Sequence, residues 1–281
     1  MKQKIALVVT SSGVVSKESL EKHNMYLAPM DIIFDDKTYK DLVEMPHEEF
    51  YKKVRLGNFP KTSLPNPLEL EELFRKLLKE YDHVIYLTIA SALSGTYENG
   101  RVIAEEVDPK RITVYDTETT AIIEGYMQET AARLIKEGKT VSEIIKALDA
   151  LKEKWKIYFV VEDLKYLQIN GRIGKAASFV AGILNIVPIL QLTREGVDAF
   201  EKVRTSKKAF ARLLELCKEA NLKETDPIFI VHADSDKNML NDLYNKIKEL
   251  YPKNKIQTYL LTPTIGAHTG PGVFAVGWYK L

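Results

Sequence analysis

Through the first half of the chain, short apolar runs alternate with stretches of helical spacing, and that alternation limits the fold more than any other feature. The runs IALVV (5–9), MDIIF (30–34), HVIYLTI (83–89) and RITVYD (111–116) are separated by PHEEFYKKV, PLELEELFRKLLKEY and GTYENGRVIAEEV; TTAIIEGYMQETAARLIKEG and TVSEIIKALDALKEKW follow. Strands apolar along their whole length are buried on both faces, and helices between them supply the cover, so the pattern predicts an α/β domain with a mainly parallel sheet. Thr140 and Glu143 have capping-box spacing, and the last of these helices is expected to run to Trp155, closing a first domain at 1–155. From 156 to 281 the order changes. A strand, KIYFVV, leads to a small-residue helix in RIGKAASFVAGIL, then to two strands about a turn at Arg194 to Gly196. Helices and strands then mix up to a last strand, VFAVGWY, which predicts an α+β second domain; a length of 281 residues suits two domains.

Composition removes several function classes. A formal net charge of +1 gives no global field for nucleic acid or an anionic membrane, so any anion must be held locally. The single cysteine, Cys217, sits in a helical pattern as a small apolar residue, and one cysteine excludes internal disulfides and CxxC zinc sites. The run at 5–9 is shorter than a signal-peptide core, and FVAGILNIVPIL, broken by Asn185 and Pro188, falls short of a membrane span. A soluble, cytoplasmic protein is expected. His23, His47, His83 and His232 are scattered without metal-ligand spacing, and no Walker A or dinucleotide fingerprint occurs, so neither a metal nor a cofactor is expected.

Chemistry-bearing residues gather in turns. KTSLPNPLELEEL places Thr62 and Ser63 ahead of a helix with Asn66 as N-cap, Pro67 at the first position and Glu69 at box spacing. SALSGTYENG runs from a buried strand into a turn bearing Ser91, Ser94, Gly95 and Thr96, where hydroxyls and backbone amides at a helix start can cradle an anion. YDTETTA and TSSG put Asp116, Thr117 and Thr10–Gly13 at further strand ends, as ligand contacts or as plain caps. NGRIGKAAS carries Arg172 and Lys175, EKVRTSKKAF carries Arg204, and GAHTGPG sets His268 and Thr269 among glycines that let a ligand approach. Such an imidazole can donate to a carboxylate or serve only its own loop.

In order and spacing, KTSLP, ALSGTY, DLKYLQINGRIG, VPIL, KVRTSKKA and HTGPG resemble the DegV family of bacterial proteins across nearly the full chain. The resemblance implies an N-terminal α/β domain, a C-terminal α+β domain, and one long-chain fatty acid in a tunnel between them. By motif position it implies that Thr62, Ser63, Ser94, Gly95, His268 and Thr269 surround the fatty-acid carboxylate, and that Arg172 and Arg204 meet a partner or a phosphate. Some members are the fatty-acid-binding subunits of a fatty acid kinase, which makes the expected partner a separate kinase catalytic subunit and the chain itself a non-catalytic carrier. Phe179, Val180, Ile183 and Leu184 are the expected tunnel lining, where each methylene removed from water contributes about 0.8 kcal/mol. The chain departs from the family pattern in three places: Ser11 stands where the first turn has an acid, Leu64 where an amide is expected, and Val187 where a lysine often precedes the proline. Two other readings use the same residues. One is an acyl-ester hydrolase with Ser94 as nucleophile, His268 as base and Asp116 as orienting acid; the other is a lipid-sensing regulatory protein.

Overall fold

The computed structural model of the chain describes residues 3–13, 16–35, 37–179 and 186–281. It divides into two compact units, Met1–His47 with Thr62–Glu153, and Glu48–Lys61 with Lys154–Leu281.

In the first unit, strands β1 (Ile5–Thr10), β2 (Met25–Ala28), β6 (His83–Thr88) and β7 (Ile112–Asp116) form a sheet in the order β2-β1-β6-β7. Every pairing in it is parallel. Helices α3 (Pro67–Leu77), α4 (Thr96–Val107), α5 (Ala121–Glu137) and α6 (Val141–Lys152) follow the expected order. One core joins Val8, Val84 and Tyr86 of the sheet to Leu70, Phe74 and Leu77 of α3 and Ile103 of α4. Phe74 meets Tyr86 edge to face, ring centroids 5.6 Å apart, and neither side chain is exposed. A second, three-stranded sheet of β3 (Asp31–Phe34), β4 (Lys37–Lys40) and β5 (Lys61–Ser63), in the order β4-β3-β5, includes two strands too short and polar to show in the apolar pattern.

The second unit is a six-stranded sheet in the order β10-β9-β8-β13-β11-β12, built from β8 (Trp155–Val160), β9 (Val187–Thr193), β10 (Gly196–Val203), β11 (Ile228–Ala233), β12 (Ile256–Leu260) and β13 (Val273–Tyr279). All its pairings are antiparallel except β11 with β12. Helices α8 (Ser206–Glu219) and α9 (Lys237–Leu250) cover one face through Ala209, Leu213, Leu216, Leu243 and Ile247. Cys217 is buried there and its thiol is pushed up to about 12 by desolvation, as its apolar setting in the sequence suggests.

Local signals hold in most places. Asn66 accepts from the N–H groups of Leu68 (3.0 Å) and Glu69 (3.4 Å), and Thr140 with Glu143 forms a complete capping box. Three expectations need correction. The Glu69 carboxylate pairs with Lys40 on β4 instead of turning back to its own cap, because an ammonium lies within reach. Helix α6 stops at Lys152, and Trp155 opens β8, where its indole is buried. His268 lies not in a loop but in the last turn of a short helix, α10 (Pro263–Thr269); Pro263 starts it, and Gly270 at φ 72 ends it.

Candidate functional site

In the first unit, two turns carry the hydroxyls. After β6 the chain bends through 89–95 into α4, whose N-cap Gly95 has no side chain with which to cap the helix. Ser94 supplies a hydroxyl there instead: its Oγ lies 2.8 Å from Thr96 Oγ1 and accepts from the Thr96 N–H at 3.4 Å. Thr62 and Ser63 end β5, and a Cβ built on Gly95 would come within 3.8 Å of Leu64 Cδ2, so the two turns lie side by side. Thr62 and Ser94 are half-buried, and Ser63 and Gly95 are exposed. The structure thus sets the segment after β5, which carries Thr62 and Ser63, beside the turn with Ser94 and Gly95 at the start of a twelve-residue helix. Helix-start amides and hydroxyls together favour an anion. Asp116 is engaged otherwise: its carboxylate accepts from the N–H groups of Ser91 (3.2 Å) and Glu118 (2.8 Å), which makes it a cap of its own strand end.

In the second unit, α10 is held in place by side chains from distant parts of the chain. Asn170 Nδ2 donates to the Ala267 carbonyl at 3.0 Å, and Tyr51 Oη donates to the Leu261 carbonyl at 3.0 Å. Gly266 permits the close approach of Tyr51, since a Cβ there would lie 2.6 Å from the phenol oxygen. Tyr51 sits on α2 (His47–Arg55), and Phe50 beside it stacks edge to face at 5.0 Å. Dense surroundings push the His268 imidazole down to about 4, with the Arg172 charge adding to the shift, so the ring is neutral at pH 7. A neutral imidazole still offers one N–H. Thr269, expected beside it as a donor, directs its hydroxyl to the Ile265 carbonyl at 3.2 Å, one helical turn back. Arg172 is exposed and donates to the Asn170 carbonyl at 2.7 Å. Arg204 is exposed between β10 and α8.

Of the expected tunnel lining, Val180, Ile183 and Leu184 lie outside the described residues, as does the side chain of Phe179. The segment before them forms a 3-10 helix, Gly174–Phe179, where a longer α-helix is expected. A cleft of about 380 Å³ opens beside the start of α8 in the second unit, lined chiefly by Val160, Val187, Ala209, Phe210, Leu213 and Phe274. Asn170, Phe50 and Tyr51 escaped the sequence reading, though the Asn-Gly-Arg motif already contained the first of them. Among the described residues no cluster of histidine, cysteine and carboxylate side chains could hold a metal ion, and no helix is long and apolar enough to cross a membrane.

These features define a two-unit mixed α/β protein, one unit built on a parallel sheet with hydroxyl-bearing turns at its carboxyl edge, the other on a larger, mainly antiparallel sheet carrying a half-buried imidazole. The family model described as "Uncharacterised protein, DegV family" matches residues 4–281, and the chain belongs to that family. It is 32% identical to the Protein DegV of Bacillus subtilis over 277 residues, 98% of each chain. Among solved structures it is similar to "DegV, a fatty acid binding protein from Bacillus subtilis", at 31% identity and a TM-score of 0.89, covering 99% of this chain and 100% of that one. It is also similar to a DegV family protein from Thermus thermophilus described for its fatty acid binding, at 29% identity and a TM-score of 0.91, with 99% and 100% covered.

Proposed function

We propose that the chain binds one long-chain fatty acid, that Thr62, Ser63, Ser94, Gly95 and His268 receive its carboxylate, with Thr269 reaching it only if its hydroxyl turns away from the Ile265 carbonyl, and that the protein is a non-catalytic carrier that presents this carboxylate to a separate kinase subunit for acyl-phosphate formation. The observation that carries the reading is full-length similarity to structures described as fatty acid binding, together with the presence here of the hydroxyl pair, the Leu-Ser-Gly-Thr turn and the histidine. The chemistry is consistent with it. Several neutral donors can satisfy a desolvated carboxylate without a full counter-charge, and bonds to a charged acceptor are the stronger kind. The hydrocarbon tail supplies most of the affinity, and the polar set selects the head group. Arg172 and Arg204, both exposed, are the residues that would meet a phosphate or the kinase in this reading.

Two measurements test this. Mass spectrometry of an organic extract of gently purified protein should show one fatty acid per chain; an empty protein that also takes up no added palmitate overturns the reading. Ser94→Ala and His268→Ala should each weaken palmitate binding by roughly 10-fold or more while leaving methyl palmitate nearly unchanged. Equal losses for acid and ester reject the head-group assignment but not the lipid. Kinase coupling is tested separately, by ATP-dependent acyl-phosphate formation on the loaded protein with a candidate catalytic subunit.

A further inference from the structure

At the carboxyl end of β1 a carboxyl group is buried, and among the described residues no cation pairs with it. Glu124, on α5, has no exposed surface, and neither do Thr10, Ser12 and Gln128 around it. Thr10 Oγ1 is 2.6 Å from Glu124 Oε1, Ser12 Oγ is 2.7 Å from Glu124 Oε2, and the two hydroxyl oxygens are 2.8 Å from each other. Gln128 Nε2 donates to Oε1 at 2.8 Å. Three oxygen–oxygen contacts of hydrogen-bond length therefore close a ring, and each needs a hydrogen. The two hydroxyls bring only two. With an ionised carboxylate, both would point at Glu124, and the Thr10–Ser12 contact would set lone pair against lone pair. A third hydrogen on the carboxyl removes the conflict.

We propose that Glu124 is a protonated carboxylic acid at neutral pH and a positioning residue that locks the Thr10–Ser12 turn through this ring. Gln128 fixes the direction: Oε1, which accepts from both Gln128 and Thr10, is the carbonyl oxygen, so Oε2 carries the proton and donates to Ser12. Ser12 donates to Thr10, and Thr10 donates to Oε1. Every hydrogen in the ring has one acceptor. Ser11, between Thr10 and Ser12, accepts from the Met30 N–H at 3.1 Å, and the carboxyl that reaches this turn comes from α5.

The surroundings agree. Desolvation pushes the Glu124 carboxyl up to about 8 against the lowering effect of its donors, with the Asp116 charge adding to the rise. The nearby Tyr86 phenol is fully buried and itself pushed up, so it remains neutral. Two helices also pack against α5: α1 (Lys17–His23), with Lys17, Glu18, Glu21, Lys22 and His23, and α6, with Glu143, Lys146, Asp149 and Lys152. None of these hydrogen-bonds or ion-pairs with Glu124 among the described contacts. On α5 itself, Glu129 accepts from Ser19 and Arg133 pairs with Glu137.

The test is Glu124→Gln. An amide keeps the ring's hydrogen count, with Oε1 accepting from Thr10 and Nε2 donating to Ser12, but it cannot ionise. Because the folded pKa lies above the unfolded one, wild-type stability relative to the variant is greatest near pH 5 or below, falls as pH rises towards about 8, and is level beyond. The melting-temperature difference between the two proteins, plotted against pH, should follow that course. In the wild type with carbon-13-labelled glutamate, one side-chain carboxyl resonance should stay at the neutral-acid position at pH 7 and titrate near 8, and this holds whether or not the variant folds. Glutamate carboxyl resonances that are all ionised at pH 7, or a Glu124→Gln protein with the same pH slope as wild type, overturn the proposal. Neither measurement needs a ligand, so failure here is distinct from failure of the fatty-acid reading.

Discussion

At the scale of single residues, His268 ties stability to pH in the opposite sense from a salt-bridged histidine. Its folded pKa is lowered, so the neutral ring favours the fold fully above about pH 6.5 and that contribution is lost as pH falls towards 4. The loss is on the order of 2 kcal/mol, reduced from the full shift because the ring is partly exposed. His268→Gln should flatten the stability profile between those limits, as measured by urea unfolding at several pH values; a profile with the wild-type slope would mean that another group titrates. The residue itself was legible in the sequence as an isolated imidazole among glycines. Its protonation state was not, because that depends on burial and on Arg172, nearly a hundred positions away. Glu124 was less legible still, reading as one acid on a helix until Thr10 and Ser12 meet it in space.

At the scale of elements, capping was the most readable feature, because it depends on neighbours within four residues. Asn66→Ala should cost ~1 kcal/mol through loss of its bonds to Leu68 and Glu69, seen as a shift in the urea midpoint without a change in slope. Phe74→Ala, on the same helix, should cost about 3–5 kcal/mol, since the ring is fully buried against Tyr86 and its removal leaves a cavity. The parallel sheet was legible in three of its four strands for a related reason, since β1, β6 and β7 carry apolar runs. The run MDIIF instead pairs antiparallel with β4 in the smaller sheet, and β2, MYLA, which the apolar pattern did not show, takes the place beside β1. The strands β4 and β5 and the short helix α10 were not legible. KTYK and KTS are polar, and PTIGAHT holds a glycine in mid-helix, so tertiary contacts such as Asn170 to Ala267 must hold what local preference does not.

At the scale of the whole molecule, the periodic pattern suggested one cut near Trp155, but 48–61 groups with the second unit. Tyr51 binds the Leu261 carbonyl, Arg55 pairs with Glu162 and Asp234 at 3.0 Å each, and Phe59 lies against Tyr166. A fragment of residues 154–281 should therefore show a poorly dispersed amide spectrum, and joining 48–61 to it through a flexible linker should restore dispersion and raise its melting temperature. A well-folded 154–281 fragment would show that the segment is dispensable. This discontinuity also sets an order of events during synthesis. The segment is synthesised roughly two hundred residues before the Leu261 and Gly266 partners of Phe50 and Tyr51, so for roughly 10–40 seconds of translation these aromatic side chains lack those partners. Slowing elongation would lengthen that interval, and a holdase that shields exposed apolar chain should matter more for this protein than for one whose units are contiguous.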